Sequence, residues 1–297
     1  MIKKVIRKIL AILSKMTGWQ IILLPKNTSP RPTATKSDFG FWYAGNVFDA
    51  SDIAYGIFRN GIVETEETKL VTKILTKLTS SLNSVHFYDI GANSGYYGIL
   101  ASYLGKGKTK AFSFEPLKEH TSLIQETVFL NKLQDSVQIF ETALGATESI
   151  SKIQLAGSGS SLVTGFLGNK SNNPTREISV AVLDNIIEKD NLPAPHFIKI
   201  DVEGFELEVL NGSKKTIINT LPILFIEIAS SLKTTHGMFI SNTATGVFDL
   251  LTSLGYNAYI VKETTEPVTS VSQTEGAYMY LFLNKQNPLH NTITQSL

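Results

Sequence analysis

The sequence predicts an α/β fold built on a mostly parallel sheet with helices on both faces. Three observations carry this. Apolar runs of strand length alternate with stretches of helical periodicity along much of the 297 residues. One junction, Val85-His-Phe-Tyr-Asp89-Ile-Gly91-Ala-Asn93-Ser-Gly95-Tyr-Tyr-Gly98, joins an apolar strand to a glycine-punctuated turn and the start of a helix. A second strand-like run, Thr109-Lys-Ala-Phe-Ser-Phe-Glu115-Pro116, ends in an acid about 20 residues beyond that turn, the spacing at which a carboxylate meets ribose hydroxyls in nucleotide-binding folds.

Taken in order, residues 1–26 form a basic leader. Ile2, Val5, Ile6, Ile9, Leu10, Ile12, Leu13 and Met16 recur on one helical face, with Lys3, Lys4, Arg7, Lys8 and Lys15 opposite. The run is too short and too charged to span a bilayer, and it has no secretory pattern. Two readings stay open: residues 1–18 attach to an anionic membrane surface, or the helix packs on the rest of the chain or on a second subunit. Residues 27–37, rich in Thr, Ser and Pro, read as a linker, and 27–60 together as linker plus an aromatic-rich cover segment containing Phe41-Trp42-Tyr43 and Phe48 to Phe58. These aromatics either line a ligand pocket or pack the extension onto the sheet.

The main domain is expected over 61–297. Glu64-Thr-Glu-Glu-Thr68 opens a helix with acids in its first turn, where they favour the helix dipole, followed by Leu70, Ile74 and Leu78. Strands are expected over 85–90, 109–115, 136–142, 150–155, 178–183, 196–201, 222–228, 256–261 and 277–283, and helices over 95–104, 117–131, 204–219 and 243–254. Ligands of such a fold sit at the carboxyl ends of the strands. The polar stretch Gly157-Ser-Gly-Ser-Ser161-Leu-Val163 is either a ligand-contacting loop, through Ser160 and Ser161, or a plain surface loop.

Composition excludes several classes. There is no cysteine, so disulfides, thiolate metal ligands and a cysteine nucleophile are ruled out. The five histidines are scattered, which argues against zinc. The net charge of +1 hides an asymmetry: eight of the 27 basic residues precede Asp38, leaving 19 basic against 26 acidic residues after them. An acidic body makes nucleic acid an unlikely partner. The turn itself spells D-x-G-x-x-x-G and not the dinucleotide fingerprint G-x-G-x-x-G, which favours a cation-bearing ligand such as S-adenosylmethionine over a pyrophosphate.

A third element is Phe197-Ile-Lys199-Ile-Asp201-Val-Glu203-Gly204-Phe-Glu206. Together with Asp89 to Gly98, Phe114-Glu-Pro116 and Ala181-Val-Leu-Asp184, it resembles the FkbM-like family of S-adenosylmethionine-dependent methyltransferases, over about Gly61 to Ile228. The resemblance implies a Rossmann-like class I methyltransferase with a mostly parallel seven-stranded sheet. It also implies O-methylation of a hydroxyl on a sugar, glycan or related small molecule, in the cytoplasm or at the inner face of the membrane. On this reading Asp89, Gly91, Asn93 and Gly95 hold the methionine end of the cofactor. Glu115 and Pro116 take the ribose, Glu141 to Ala143 flank the adenine, and Asp201 closes the methionine side. Glu203 is the first choice as general base, then His236, then Glu227. No metal is expected, although Asp201, Glu203 and Glu227 offer carboxylates. Lys199 reads as an ion-pair partner of a neighbouring carboxylate, and Glu206 and Glu208 as a solvated first turn. Two other classes share parts of the pattern: a nicotinamide-dependent oxidoreductase and a non-catalytic scaffold.

Overall fold

Alternation within each central strand decides the architecture. In a strand, successive side chains point to opposite faces, and here both sets are apolar. Phe87, Phe197, Phe225 and Leu281 join one buried cluster, while Tyr88, Ile198, Leu224 and Tyr280 join a second. Such a sheet must be covered on both sides, and each large apolar side chain so buried contributes about 1.5–3 kcal/mol.

The computed structural model describes residues 33–155, 160–163, 174–234, 237–240, 243–271 and 276–294, with backbone alone at 230–234 and 237–240. The basic leader, 1–26, lies outside the described residues, as does His236.

In chain order the elements are β1 (Thr33–Lys36), β2 (Trp42–Gly45), α1 (Ile53–Asn60), α2 (Thr65–Ser81), β3 (Val85–Ile90), α3 (Tyr96–Gly105), β4 (Thr109–Phe114) and α4 (Lys118–Asn131). Then come β5 (Val137–Phe140), β6 (Ala143–Leu144), β7 (Ser149–Gln154), β8 (Thr175–Ala181), α5 (Leu183–Lys189), β9 (Phe197–Ile200), α6 (Glu206–Gly212) and α7 (Lys214–Thr220). The chain continues through β10 (Ile223–Thr234), β11 (Gly237–Ile240), α8 (Ala244–Ser253), β12 (Tyr256–Val261), β13 (Thr265–Val268), β14 (Gly276–Asn284) and α9 (Pro288–Thr294).

The main sheet runs β13-β12-β14-β10-β9-β3-β4-β5, with β11 paired to β10. The central neighbours β10, β9, β3, β4 and β5 are parallel, and β14 enters antiparallel between β10 and β12. The seven strands from β5 to β12 in that order are the expected sheet; β11 and β13 add hairpin partners that short polar-interrupted runs did not disclose. A separate sheet, β6-β8-β7, stands beside it. Among the described residues no helix is long and apolar enough to cross a membrane.

Two expectations are corrected and one open choice is decided. Part of the 27–37 linker is strand β1, paired antiparallel with β2. The aromatics favour packing over pocket: Phe41 and Tyr43 are fully buried, and Trp42, Phe48 and Phe58 are half exposed away from the cavity described below. The helix expected over 204–219 is broken at Ser213 into α6 and α7. The break has a cause in tertiary packing, since a Cβ on Gly212 would lie 2.0 Å from the Gly145 carbonyl oxygen. Asp184 then caps the restarted helix, accepting from the Lys215 and Thr216 N–H groups at 2.9 Å each and from the Thr216 hydroxyl at 2.6 Å.

Candidate active site

The carboxyl ends of β3, β4 and β9 and the middle of β10 surround a cavity of about 250 Å³. Register explains which side chains meet there. Parallel β9 and β10 pair Ile200 with Ile226, so the next residues, Asp201 and Glu227, lie side by side where that pairing ends. The pairing of β3 with β9 sets Asp89 beside Lys199, and Lys199 shares a face with Asp201 two residues on.

At the β3 end, Gly91 adopts φ +74, and a Cβ there would stand 1.8 Å from the Asp201 carbonyl oxygen. Only glycine permits that approach. The turn is tied to β4 by the Gly91 and Ala92 N–H groups, both donating to the Phe114 carbonyl at 3.0 Å. Glu115, buried, receives the Asn93 N–H on Oε2 at 2.9 Å and the Leu117 N–H on Oε1 at 3.0 Å. Gly91, Asn93, Glu115, Pro116 and Ala143 all line the cavity.

The opposite wall is acidic. Asp201, Glu203 and Glu227 present ligand atoms within 4.8 Å of one another. Lys199, 3% exposed, donates to Asp201 Oδ2 at 2.8 Å and lies 4.9 Å from the centre of the Tyr97 ring. Burial alone would raise the Asp201 pKa; the adjacent Lys199 ammonium outweighs it and keeps that carboxyl low. Glu227 is pushed up, first by the Asp201 charge and then by burial. Their ligand atoms lie within 4.8 Å of each other, so the charge of each carboxylate disfavours ionisation of the other. The spacing of the three acids is also that of a cation site, and the Lys199 ammonium already pairs with one of them, Asp201.

Glu203 sits in a sharp turn at φ 54, with Gly204 at φ 98. Burial first, then the charges of Asp201 and Glu206, raise it to about 8. Its carbonyl oxygen accepts the hydroxyl of buried Ser161 at 2.6 Å, while Ser160 lines the cavity. Ser161 thus fastens the loop after β7 to the turn. Glu206 is not solvated as expected: it is 4% exposed and accepts the Gly204 N–H at 2.8 Å. Burial raises it to about 7.

Three predicted contacts fall elsewhere. Asp89 does not line the cavity; it is buried beneath it, accepting the Gly98 N–H on Oδ2 at 2.9 Å, with Oδ1 unpartnered. Burial raises it to about 6. Gly95 packs inward, where a Cβ would lie 2.8 Å from Ile124. Glu141 is exposed and accepts from Thr121 at 3.2 Å, leaving Ala143 as the cavity residue of that segment. Conversely, Glu64, read as a dipole partner, takes φ 44 before α2, lines the cavity and accepts the Tyr97 hydroxyl at 2.6 Å.

The profile of the family described as "Methyltransferase FkbM domain" matches residues 89–258, more than half of the chain. No curated protein gives a match. Among solved structures, the FkbM methyltransferase from Methylobacillus flagellatus KT is 17% identical at a TM-score of 0.43, covering 76% of this chain and 60% of its own. This chain therefore spans about 60% of that relative's length. A SAM-dependent methyltransferase from Agrobacterium tumefaciens is 10% identical at 0.49, covering 90% of this chain and 74% of that one. The Bacillus cereus O-methyltransferase, solved with SAH, is 9% identical at 0.40, with 75% and 82% covered. With the family matched across β3 to β12 and the sheet order in place, the chain belongs to the FkbM family of S-adenosylmethionine-dependent methyltransferases.

Proposed function

We propose that this methyltransferase methylates a hydroxyl oxygen of a sugar, glycan or related small molecule, with Glu203 as the general base. The observation that carries the reading is the Glu203 carboxyl, which lines the same cavity as Gly91 and Glu115 and is raised by burial and neighbouring charge into the range of a working base.

The residues present fit S-adenosylmethionine. A glycine turn gives close backbone approach at Gly91, Glu115 retains acceptor capacity on Oε2 for a ribose hydroxyl, and the acidic wall suits a ligand bearing cationic centres. When bound, the cofactor supplies an electrophilic methyl group on a positively charged sulfur. Gly91, Asn93, Glu115, Pro116 and Ala143 would hold it, with Asp201 closing the methionine side.

The chain's own contribution is positioning and proton removal. Two reacting groups held in line in a cavity shielded from water gain most of the rate enhancement available to such a transfer. An aliphatic hydroxyl is a weak nucleophile at neutral pH, so Glu203 accepts its proton as the oxygen attacks. Ser161 fixes the turn that aims Glu203.

The test is Glu203→Gln, assayed by SAH release with a panel of neutral sugars and glycans. Turnover is expected to fall by about 100-fold or more, with SAH affinity within threefold of the wild type. Unchanged turnover removes Glu203 from the role.

The basic leader supports a further part of the reading, attachment to an anionic membrane from the cytoplasmic side, near lipid-linked acceptors. Sedimentation with phosphatidylglycerol liposomes should be lost when residues 1–18 are deleted; equal binding by both forms rejects it.

A further inference from the structure

His120 enters none of the roles assigned above, yet it lines the cavity beside Glu115 and Leu117. It stands in the first turn of α4, with 16% of its side chain exposed. Its Nδ1 is 3.3 Å from Glu115 Oε1, the oxygen that also accepts the Leu117 N–H. Among the described residues this is the ring's only hydrogen bond.

The chemistry of that contact fixes the tautomer. An ionised carboxylate accepts and never donates, so the imidazole carries a proton on Nδ1. On the neutral ring, Nε2 is then a bare acceptor. The Asn93 and Leu117 N–H groups grip the two oxygens of Glu115 from the glycine turn and from the start of α4. The imidazole adds a third donor from a side chain and restricts rotation of the carboxyl.

We infer that His120 is a cofactor-binding residue: through Nδ1 it orients Glu115 for the ribose hydroxyls, and through Nε2 it accepts a hydrogen bond from the bound nucleoside. The inference rests on the S-adenosylmethionine assignment of the cavity. It differs from a structural staple between α4 and the end of β4, which would affect folding but not the choice of ligand.

Calorimetric titration of the full chain with SAH and with its 2′-deoxy and 3′-deoxy analogues separates the two. The variants are His120→Phe, which keeps ring volume and loses both nitrogens, and His120→Asn, whose amide nitrogen falls near the position of Nδ1. The wild type should prefer SAH to at least one deoxy analogue by about tenfold or more, since a site built around a hydroxyl rejects a ligand lacking it. His120→Phe should bind SAH about 10- to 100-fold more weakly and lose most of that preference. His120→Asn should recover the preference without full affinity.

Several outcomes overturn the inference. One is a Phe variant with wild-type affinity and preference. Another is a weakened Phe variant whose preference is intact, which is the signature of a staple. A third is a wild type indifferent to the ribose hydroxyls. Absence of any SAH binding by the folded wild type overturns the cofactor assignment itself, and this inference with it.

Discussion

Lys199 and Asp201, two residues apart at the end of β9, point to the same side, and the Lys199 ammonium donates to Asp201 Oδ2 at 2.8 Å. The lysine is almost completely buried, with Asp89 beside it in register on β3 and Tyr97 covering it. Burial would lower its pKa, but the carboxylates of Asp201, Asp89 and Glu64 outweigh that and keep it charged. One cation thus holds together an acidic site assembled from three elements. Lys199→Met leaves buried carboxylates uncompensated and should cost about 3–5 kcal/mol in urea unfolding. A loss below 1 kcal/mol would mean that the pair is not the organiser of the site.

Gly91→Ala tests the glycine turn. The added Cβ meets a backbone carbonyl that has no freedom to retreat, at a positive φ. Destabilisation of about 2 kcal/mol or more is expected, together with loss of detectable SAH binding by calorimetry. Gly107→Ala is the control for backbone strain alone, since it sits at φ +86 but a Cβ there meets nothing within 4 Å.

Activity should depend on pH through Glu203. Its raised pKa of about 8 leaves the base form in the minority at neutral pH. The kcat/KM value should rise with pH and level off near that value. A profile already flat from pH 6 would assign proton removal to another group.

Ser161→Ala removes the hydroxyl that holds the Glu203 carbonyl. Stability should drop by about 1 kcal/mol. Turnover should fall by about tenfold while SAH affinity holds, because a misplaced base costs rate and not cofactor binding. Equal losses in turnover and SAH affinity would show that the loop serves the cofactor instead.

Stability should itself titrate in two limbs. Glu206, raised to about 7 by burial, binds more protons folded than unfolded between roughly pH 4.5 and 7, so its contribution falls as pH rises through that window. Buried His290 is lowered to about 4 by desolvation, and its Nδ1 accepts the Asn284 N–H at 2.7 Å. Its contribution is present above about 6.5 and is lost as pH falls toward 4. Melting curves of Glu206→Gln should gain relative to the wild type from pH 5 to pH 8, and those of His290→Gln should lose their acid limb. Parallel curves for all three proteins would contradict both assignments.

The sequence by itself determined the strands β3, β4, β9 and β10, the glycine turn and the strand-end acids. These are local: a period of two, a flanking glycine and a carboxylate at a strand tip are each properties of a few adjacent residues. So Gly91, Asn93, Glu115, Asp201, Glu203 and Glu227 were readable and do share one cavity. Only the tertiary structure decided which acids stand together, because Asp201 and Glu227 meet through the register of two separate strands. Long-range packing likewise sank Asp89 beneath the cavity, turned Glu141 outward and brought Glu64 and His120 to it. It also broke one helical pattern at Ser213, where backbone from another segment comes too close to Gly212 for any side chain. Periodicity tells which face of an element is buried; what that face meets is set by contacts between segments, and those carry no signature in either segment alone.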